Sequence, residues 1–254
     1  MSPRVGAIPV RGLPELSAGD RLGDLVARAL AAAGEEPTEG DVVTVAQKAV
    51  SKVEGRTEDL RAVEPRQRAR SLAERLGKDP RVVELVLRES RSVVRAEREV
   101  LIVETLGGWI CANAGIDASN VPGAESVTLL PRDPDASARR IRAEIGAAAG
   151  ARPAVVVTDS FGRPWRLGQA DVAIGCAGLA ALDDWRGRGD REGRQLTATV
   201  VAVADEVAAA ADLARDKDAG VPACLVRGLE RLVTVEDGPG AAVIQRPEAE
   251  DLFR

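Results

Sequence analysis

Ala154-Val155-Val156-Val157 is an uninterrupted apolar, largely β-branched run, and such a run fits a strand buried within a sheet. The chain then changes character at once. Thr158-Asp159-Ser160-Phe161-Gly162-Arg163-Pro164-Trp165-Arg166 brings together a carboxylate, a hydroxyl, two guanidiniums and two aromatics. The whole chain has only two Phe, three Trp and no Tyr, so this concentration stands out. A loop that binds a planar or phosphorylated ligand uses such residues, because Arg forks hold oxyanions and aromatic rings offer stacking faces. The same residues also suit an Asp that ends a strand and a Trp that plugs a core. The pattern leaves both readings open, and it predicts a loop over residues 158–166.

Histidine is absent from the 254 residues. That excludes Ser-His-Asp and Cys-His catalysis, and with them a histidine-ligated zinc or iron site. A metal here would be held by oxygen ligands, which favours Mg²⁺ or Mn²⁺. Phosphoryl transfer fits a chain of this kind, because it depends mainly on positioning and charge neutralisation. A net charge of −5 with interspersed signs argues against a nucleic-acid-binding domain. Cys111, Cys176 and Cys224 are far apart and form no CxxC pair, which implies reduced thiols and a cytoplasmic protein. No 18-residue apolar run marks a membrane span, and Met1 to Val5 lacks the apolar core of a signal peptide.

In chain order, strands are expected at Val5 to Val10, Val42 to Ala46, Val93-Val94 and Val100 to Glu104. Further strands are expected at Trp109 to Ala112, Ser126 to Leu130, Asp171 to Ile174, Thr197 to Val203 and Ala223 to Val226. Gly12 and Pro14 fix a turn after the first strand. Asp20 is the expected N-cap of a helix from Arg21 to Ala33, and Asp135 that of a helix from Ala136 to Ala149. Gly55 to Gly77 reads as one surface helix with a frayed start. Pro80 suits the first turn of a helix over Arg81 to Glu89, and Asp205-Glu206 opens a helix from Val207 to Arg215. Lys48 and Lys52 follow a buried strand and are able to neutralise phosphates, although solvated lysines are the commoner case. Asp117 and Asn120 are ordinary turn residues and also an oxygen-ligand pair suited to a hard cation or a base. No GxxxxGK[ST] and no GxGxxG after a strand is present, so a P-loop or Rossmann site is not supported.

Several strings taken together resemble one family. They are Gly12-Leu13-Pro14-Glu15, Val50-Ser51-Lys52 with Glu54-Gly55-Arg56, and Ala114-Gly115-Ile116-Asp117-Ala118-Ser119-Asn120-Val121. Leu129 to Ala138, Thr158 to Arg166 and Ala202 to Glu206 complete the set. In this order, from about Ile8 to Phe253, they resemble the coenzyme F420-0:L-glutamate ligases, the F420 gamma-glutamyl ligase family. The resemblance implies an α+β fold with mixed and antiparallel sheets and flanking helices, and a homodimer. It implies a single ligase domain over residues 1–254, of one or two subdomains, with no fused C-terminal flavin domain.

It also implies a GTP-dependent reaction with Mn²⁺ or Mg²⁺, K⁺ being a further candidate. L-glutamate would be joined to the carboxylate of F420-0 and then of F420-1, through an acyl phosphate. By position, Asp117 and Asp159 match metal-binding and catalytic aspartates, and Ser160 stands where the family usually has a metal-binding Thr. Leu13, Pro14, Glu15, Leu16, Gln47, Lys52 and Asn120 match GTP-contacting positions. Lys217 stands where some relatives have a metal-binding Glu, with Asp216 and Asp218 as neighbouring substitutes. Arg163 and Arg166 suit a phosphate or substrate carboxylate on charge geometry. Two alternatives stand beside the ligase: a non-catalytic GTP-binding regulatory module, and a metal-dependent ligase with another acceptor acid.

Overall fold

The β-branched runs assemble into one central sheet. The computed structural model describes residues 4–117, 125–215 and 219–253. Its strands are β1 (Gly6–Pro9), β2 (Val42–Ala46), β3 (Thr57–Asp59), β4 (Ser90–Glu97), β5 (Val100–Thr105) and β6 (Ile110–Ala112). They continue with β7 (Ser126–Thr128), β8 (Ala154–Arg163), β9 (Arg166–Ala177), β10 (Asp183–Asp184), β11 (Val200–Val201) and β12 (Ala223–Arg227). The α-helices are α1 (Leu22–Ala32), α2 (Gln47–Val53), α3 (Gln67–Leu76), α4 (Pro80–Arg88), α5 (Pro134–Ala149) and α6 (Val203–Asp212).

The main sheet runs β1-β12-β2-β8-β9. β2 and β8 are parallel and the other neighbours antiparallel, so the α+β expectation with mixed and antiparallel sheets holds. Side chains alternate across a strand. Val43, Val45, Val155 and Val157 therefore pack against Leu22, Val26, Leu30, Ile141 and Ile145 of α1 and α5. Val42, Val156, Cys224 and Val226 face the other way, onto Val203, Val207, Leu232 and Ala241. Both faces are covered, which is why these strands read as continuous apolar runs. Each such side chain contributes about 1.5–3 kcal/mol on burial. A further cluster joins α3 and α4 to β5 through Leu72, Leu76, Val83, Val86, Leu101 and Val103.

Some local expectations give way to tertiary partners. Arg21, not Asp20, is the N-cap of α1, and Asp20 instead accepts from the Ser17 amide at 2.8 Å. Pro134 takes the first position of α5, so Asp133 caps it and accepts from the Ala136 amide. Asp135 is thereby freed to accept from the amides of Cys176 (2.8 Å) and Ala241 (2.7 Å), which ties α5, β9 and the C-terminal segment together. The helix expected over 55–77 is split. Thr57–Asp59 pairs with β7, a 3₁₀ turn follows, Pro65 keeps Glu64 out of the α region, and α3 starts at Gln67 after an extended Arg66.

The expected strand over 126–130 is paired only to Thr128, and that over 197–203 only at Val200–Val201. α6 starts at Val203, four residues earlier than expected, and ends at Asp212, so Asp205 and Glu206 lie in its first turn. The loop expected over 158–166 is mostly strand: β8 continues to Arg163 and turns back into β9 at Pro164-Trp165. The family string Glu54-Gly55-Arg56 is architectural. Glu54 accepts from Ser137 Oγ and Arg140 of α5, and Arg56 meets Glu89 at 2.6 Å and the Leu130 carbonyl at 3.0 Å.

Candidate functional site

Where β2 passes into α2 without a connecting loop, the sheet opens into a cleft of about 940 Å³. Segments from across the chain close it on four sides. The turn Leu13 to Leu16 and the face of α2 with Gln47, Lys48 and Lys52 form one wall. Cys111 to Asn113 and Gly115 to Asp117 form another, and Thr158 to Gly162 with Gln169 and Asp171 supply the floor. Asp212, Arg215 and Gly220 to Pro222 close the end.

Each functional side chain is held by backbone made elsewhere. Asp117 is fixed by a two-way bridge with Thr128, its amide donating at 3.1 Å and its carbonyl accepting at 2.8 Å. The preceding Asn113, Ala114 and Gly115 all have positive φ, 52°, 54° and 68°. For Asn113 and Ala114 that is a strained conformation of the sort found at binding sites. Asp159 and Ser160 lie just past a register shift between β8 and β9, opposite Val172 and Asp171. Ser160 Oγ donates to Asp171 Oδ1 at 2.6 Å and Thr158 Oγ1 to Asp171 Oδ2 at 2.9 Å. Arg215 Nη2 meets the same Oδ2 at 2.5 Å.

The electrostatics are sharply divided. Lys48 Nζ is 2.8 Å from Asp117 Oδ2, and Lys52 Nζ is 2.6 Å from Glu15 Oε1. Burial pushes the Asp159 carboxyl up to about 7, and the nearby Asp171 and Asp117 carboxylates add to it, while the Ser160 amide and Lys48 oppose it. Burial likewise pushes the Cys111 thiol up to about 12, so that sulfur is not a nucleophile near neutral pH. Among the described residues, two buried side-chain atoms in the cleft lining lack a hydrogen-bond partner, Asn113 Oδ1 and Arg215 Nε.

The arrangement brings together Leu13, Pro14, Glu15, Leu16, Gln47, Lys52, Asp117, Asp159 and Ser160. Asn120 lies outside the described residues, as do Asp216, Lys217 and Asp218. Arg163 and Arg166 pair with each other one step beyond Gly162 and Gln169, at the exposed end of the hairpin, and are not part of the cleft lining. Arg163 donates to the Leu167 carbonyl at 2.7 Å. Trp165 packs on Phe253, ring centroids 4.7 Å apart, whereas Phe161 lines the cleft. Lys48, read in the sequence only as a generic neutraliser of phosphate, touches Asp117. Asn113, Asp171 and Arg215 carried no sequence signal as site residues, because each is ordinary until the fold juxtaposes it.

Chemically, the floor presents hard oxygen donors and the α2 wall presents ammonium groups. Among the described residues no three His, Cys, Asp or Glu side chains form a ready metal cage. The donor set is two carboxylates, a hydroxyl and an unpartnered amide oxygen. A buried carboxyl whose ionisation is disfavoured by like charges is relieved by a divalent cation, so the residues present fit Mn²⁺ or Mg²⁺.

Comparison with known proteins shows which family this chain resembles. A family model described as F420-0:Gamma-glutamyl ligase matches residues 12–228. A protein described as Coenzyme F420:L-glutamate ligase from Methanothermobacter thermautotrophicus is 43% identical over 251 residues, covering 98% of this chain and 99% of its own. One with the same description from Methanopyrus kandleri is 44% identical over 238 residues, covering 93% and 92%. Another from Halobacterium salinarum is 47% identical over 231 residues, covering 88% and 87%.

Proposed function

The chain belongs to the F420-0:gamma-glutamyl ligase family, and on that premise we propose that it is a GTP-dependent enzyme joining L-glutamate to coenzyme F420-0 and then to F420-1. The observation that carries this reading is the single cleft in which Leu13 to Leu16, Gln47, Lys52, Asp117, Asp159 and Ser160 meet. The acceptor carboxylate oxygen attacks the γ-phosphorus of GTP, forming an acyl phosphate and releasing GDP. The glutamate amine then attacks the acyl carbon, forming the amide, and inorganic phosphate leaves with the proton passing to solvent.

The chain's own groups position these partners. The turn Leu13 to Leu16 offers backbone to the nucleotide, together with Gln47, Asn120 and the Lys52 ammonium. Lys52 neutralises phosphate charge that would otherwise repel the incoming carboxylate. Asp117, Asp159 and Ser160 would hold Mn²⁺ or Mg²⁺, with K⁺ a further candidate cation. When bound, the divalent ion supplies charge neutralisation at phosphoryl oxygens. Arg163 and Arg166, at the exposed hairpin end off the cleft lining, would meet only a substrate carboxylate or phosphate that projects beyond the cleft. The enzyme is further read as a cytoplasmic homodimer. Among the described residues no helix is long and apolar enough to cross a membrane.

The test is to incubate the protein with F420-0, GTP, Mn²⁺ and glutamate and to weigh the product. A glutamyl increment with release of GDP is expected. Neither a mass increment nor GDP would refute the assignment, and an increment on a different acid only would move the acceptor. Sedimentation velocity checks the dimer.

A further inference from the structure

Lys48 sits against Asp117, one of the two carboxylates assigned to the cation. Its ammonium is 2.8 Å from Asp117 Oδ2, and both side chains line the cleft that also holds Asp159. One helical turn on, Lys52 faces the same cleft and is held 2.6 Å from Glu15 Oε1 in the turn Leu13 to Leu16. The two lysines share one face of α2, because residues four apart are neighbours on a helix. The backbone beneath them is fixed: α2 follows directly on β2, whose ladder with β8 runs to Ala46 and Thr158. The lysine stem is flexible, so the head can move while the helix stays.

We propose that the Lys48 ammonium is a resident counter-ion of the Asp117 carboxylate, which a divalent cation shared by Asp117 and Asp159 displaces toward an anionic ligand, so that cation and polyanion bind as a coupled pair. This rests on reading those carboxylates as the cation site. A divalent ion and an ammonium on one carboxylate repel each other strongly in a partly desolvated cleft. A phosphate alongside Lys52 offers the displaced ammonium a counter-charge. Cation binding alone adds the repulsion between the two positive charges, whereas binding with a polyanion offsets it. Reciprocity requires the cation to raise the polyanion's affinity by the same factor.

The experiment titrates Mn²⁺ into the folded protein, following free Mn²⁺ by electron paramagnetic resonance, without nucleotide and with GDP. The Mn²⁺ held by GDP itself is subtracted. Lys48→Met is expected to bind Mn²⁺ alone roughly three- to tenfold more tightly than wild type. The enhancement of Mn²⁺ affinity by GDP should shrink by a similar factor, and Lys48→Arg should behave like wild type. Unchanged or weaker Mn²⁺ binding by a folded Lys48→Met protein overturns the proposal. Asp117→Asn serves as the control. If it leaves Mn²⁺ uptake unaltered, the cation site itself is misassigned and the exchange falls with it, whereas a ligase assay without product refutes the reaction alone.

Discussion

Arg215 Nη2 lies 2.5 Å from Asp171 Oδ2, with both side chains nearly excluded from solvent. The same carboxylate takes the hydroxyl protons of Thr158 and Ser160, so this pair couples the chain after α6 to the strand that carries Asp159. Removing one partner of a buried pair leaves an uncompensated charge and costs about 3–5 kcal/mol. Arg215→Met is expected to lose stability on that scale in urea denaturation. Adding Asp171→Asn should recover part of it, because the orphaned charge is gone. Additive losses from the two substitutions would show the residues to be uncoupled.

How much of this was legible beforehand differs between fold and site. The valine runs of β2 and β8 were legible because strands covered on both faces need no polar alternation. The capping of α5 was misread by two residues, since nothing local says that Asp135 is wanted by the amides of Cys176 and Ala241, 41 and 106 residues away. The continuation of β8 through Asp159-Ser160-Phe161-Gly162 was missed for a similar reason. Asp, Ser and Gly are poor strand formers, and only the ladder with β9 holds them extended. Asp117 and Asp159 were legible through the ordered motifs they belong to. Asp171 and Arg215 were not, because a charge within a strand and one after a helix acquire meaning only when folding buries them together.

Asp159 predicts a pH dependence with a definite sign. Its carboxyl is pushed up to about 7 from 3.8, so the native state binds this proton more tightly than the unfolded chain does. The protein without a cation therefore loses stability from this group as pH rises from about 4 to about 7, and no more above that. Asp159→Asn removes the effect. Its thermal midpoint should match wild type below pH ~4 and exceed it most above pH ~7. A gap that stays constant across this range, measured by scanning calorimetry without metal, would rule the assignment out.

The two cleft aspartates should be unequal in stability and alike in turnover. Asp117→Asn removes a partly exposed carboxylate paired with Lys48, and such pairs contribute about 0–1 kcal/mol. Asp159→Asn relieves a buried charge. Both should lower Mn²⁺-supported GDP release on the order of a hundredfold or more, because each removes an anionic oxygen from the cation site. A variant that keeps near-normal GDP release, at Mn²⁺ concentrations that saturate wild type, would show that its residue does not touch the cation.

Gly175 tests how the floor of the cleft is built. It pairs with Val157 immediately before the register shift that sets the course of Thr158 and Asp159. A Cβ there would collide with the carbonyl group of Pro134 at the start of α5. That turn cannot yield easily, being held by the Asp133 cap on one side and the Asp135 bonds to β9 and the C-terminal segment on the other. Gly175→Ala is therefore expected to cost about 1–3 kcal/mol as overpacking, read from the urea midpoint. Gly162, two residues past Ser160 on the same strand, has no atom within 4 Å of where its Cβ would stand. Gly162→Ala should stay within about 0.5 kcal/mol of wild type. If the two substitutions cost the same, the close approach of α5 to β9 is not what fixes the strand beneath the cleft.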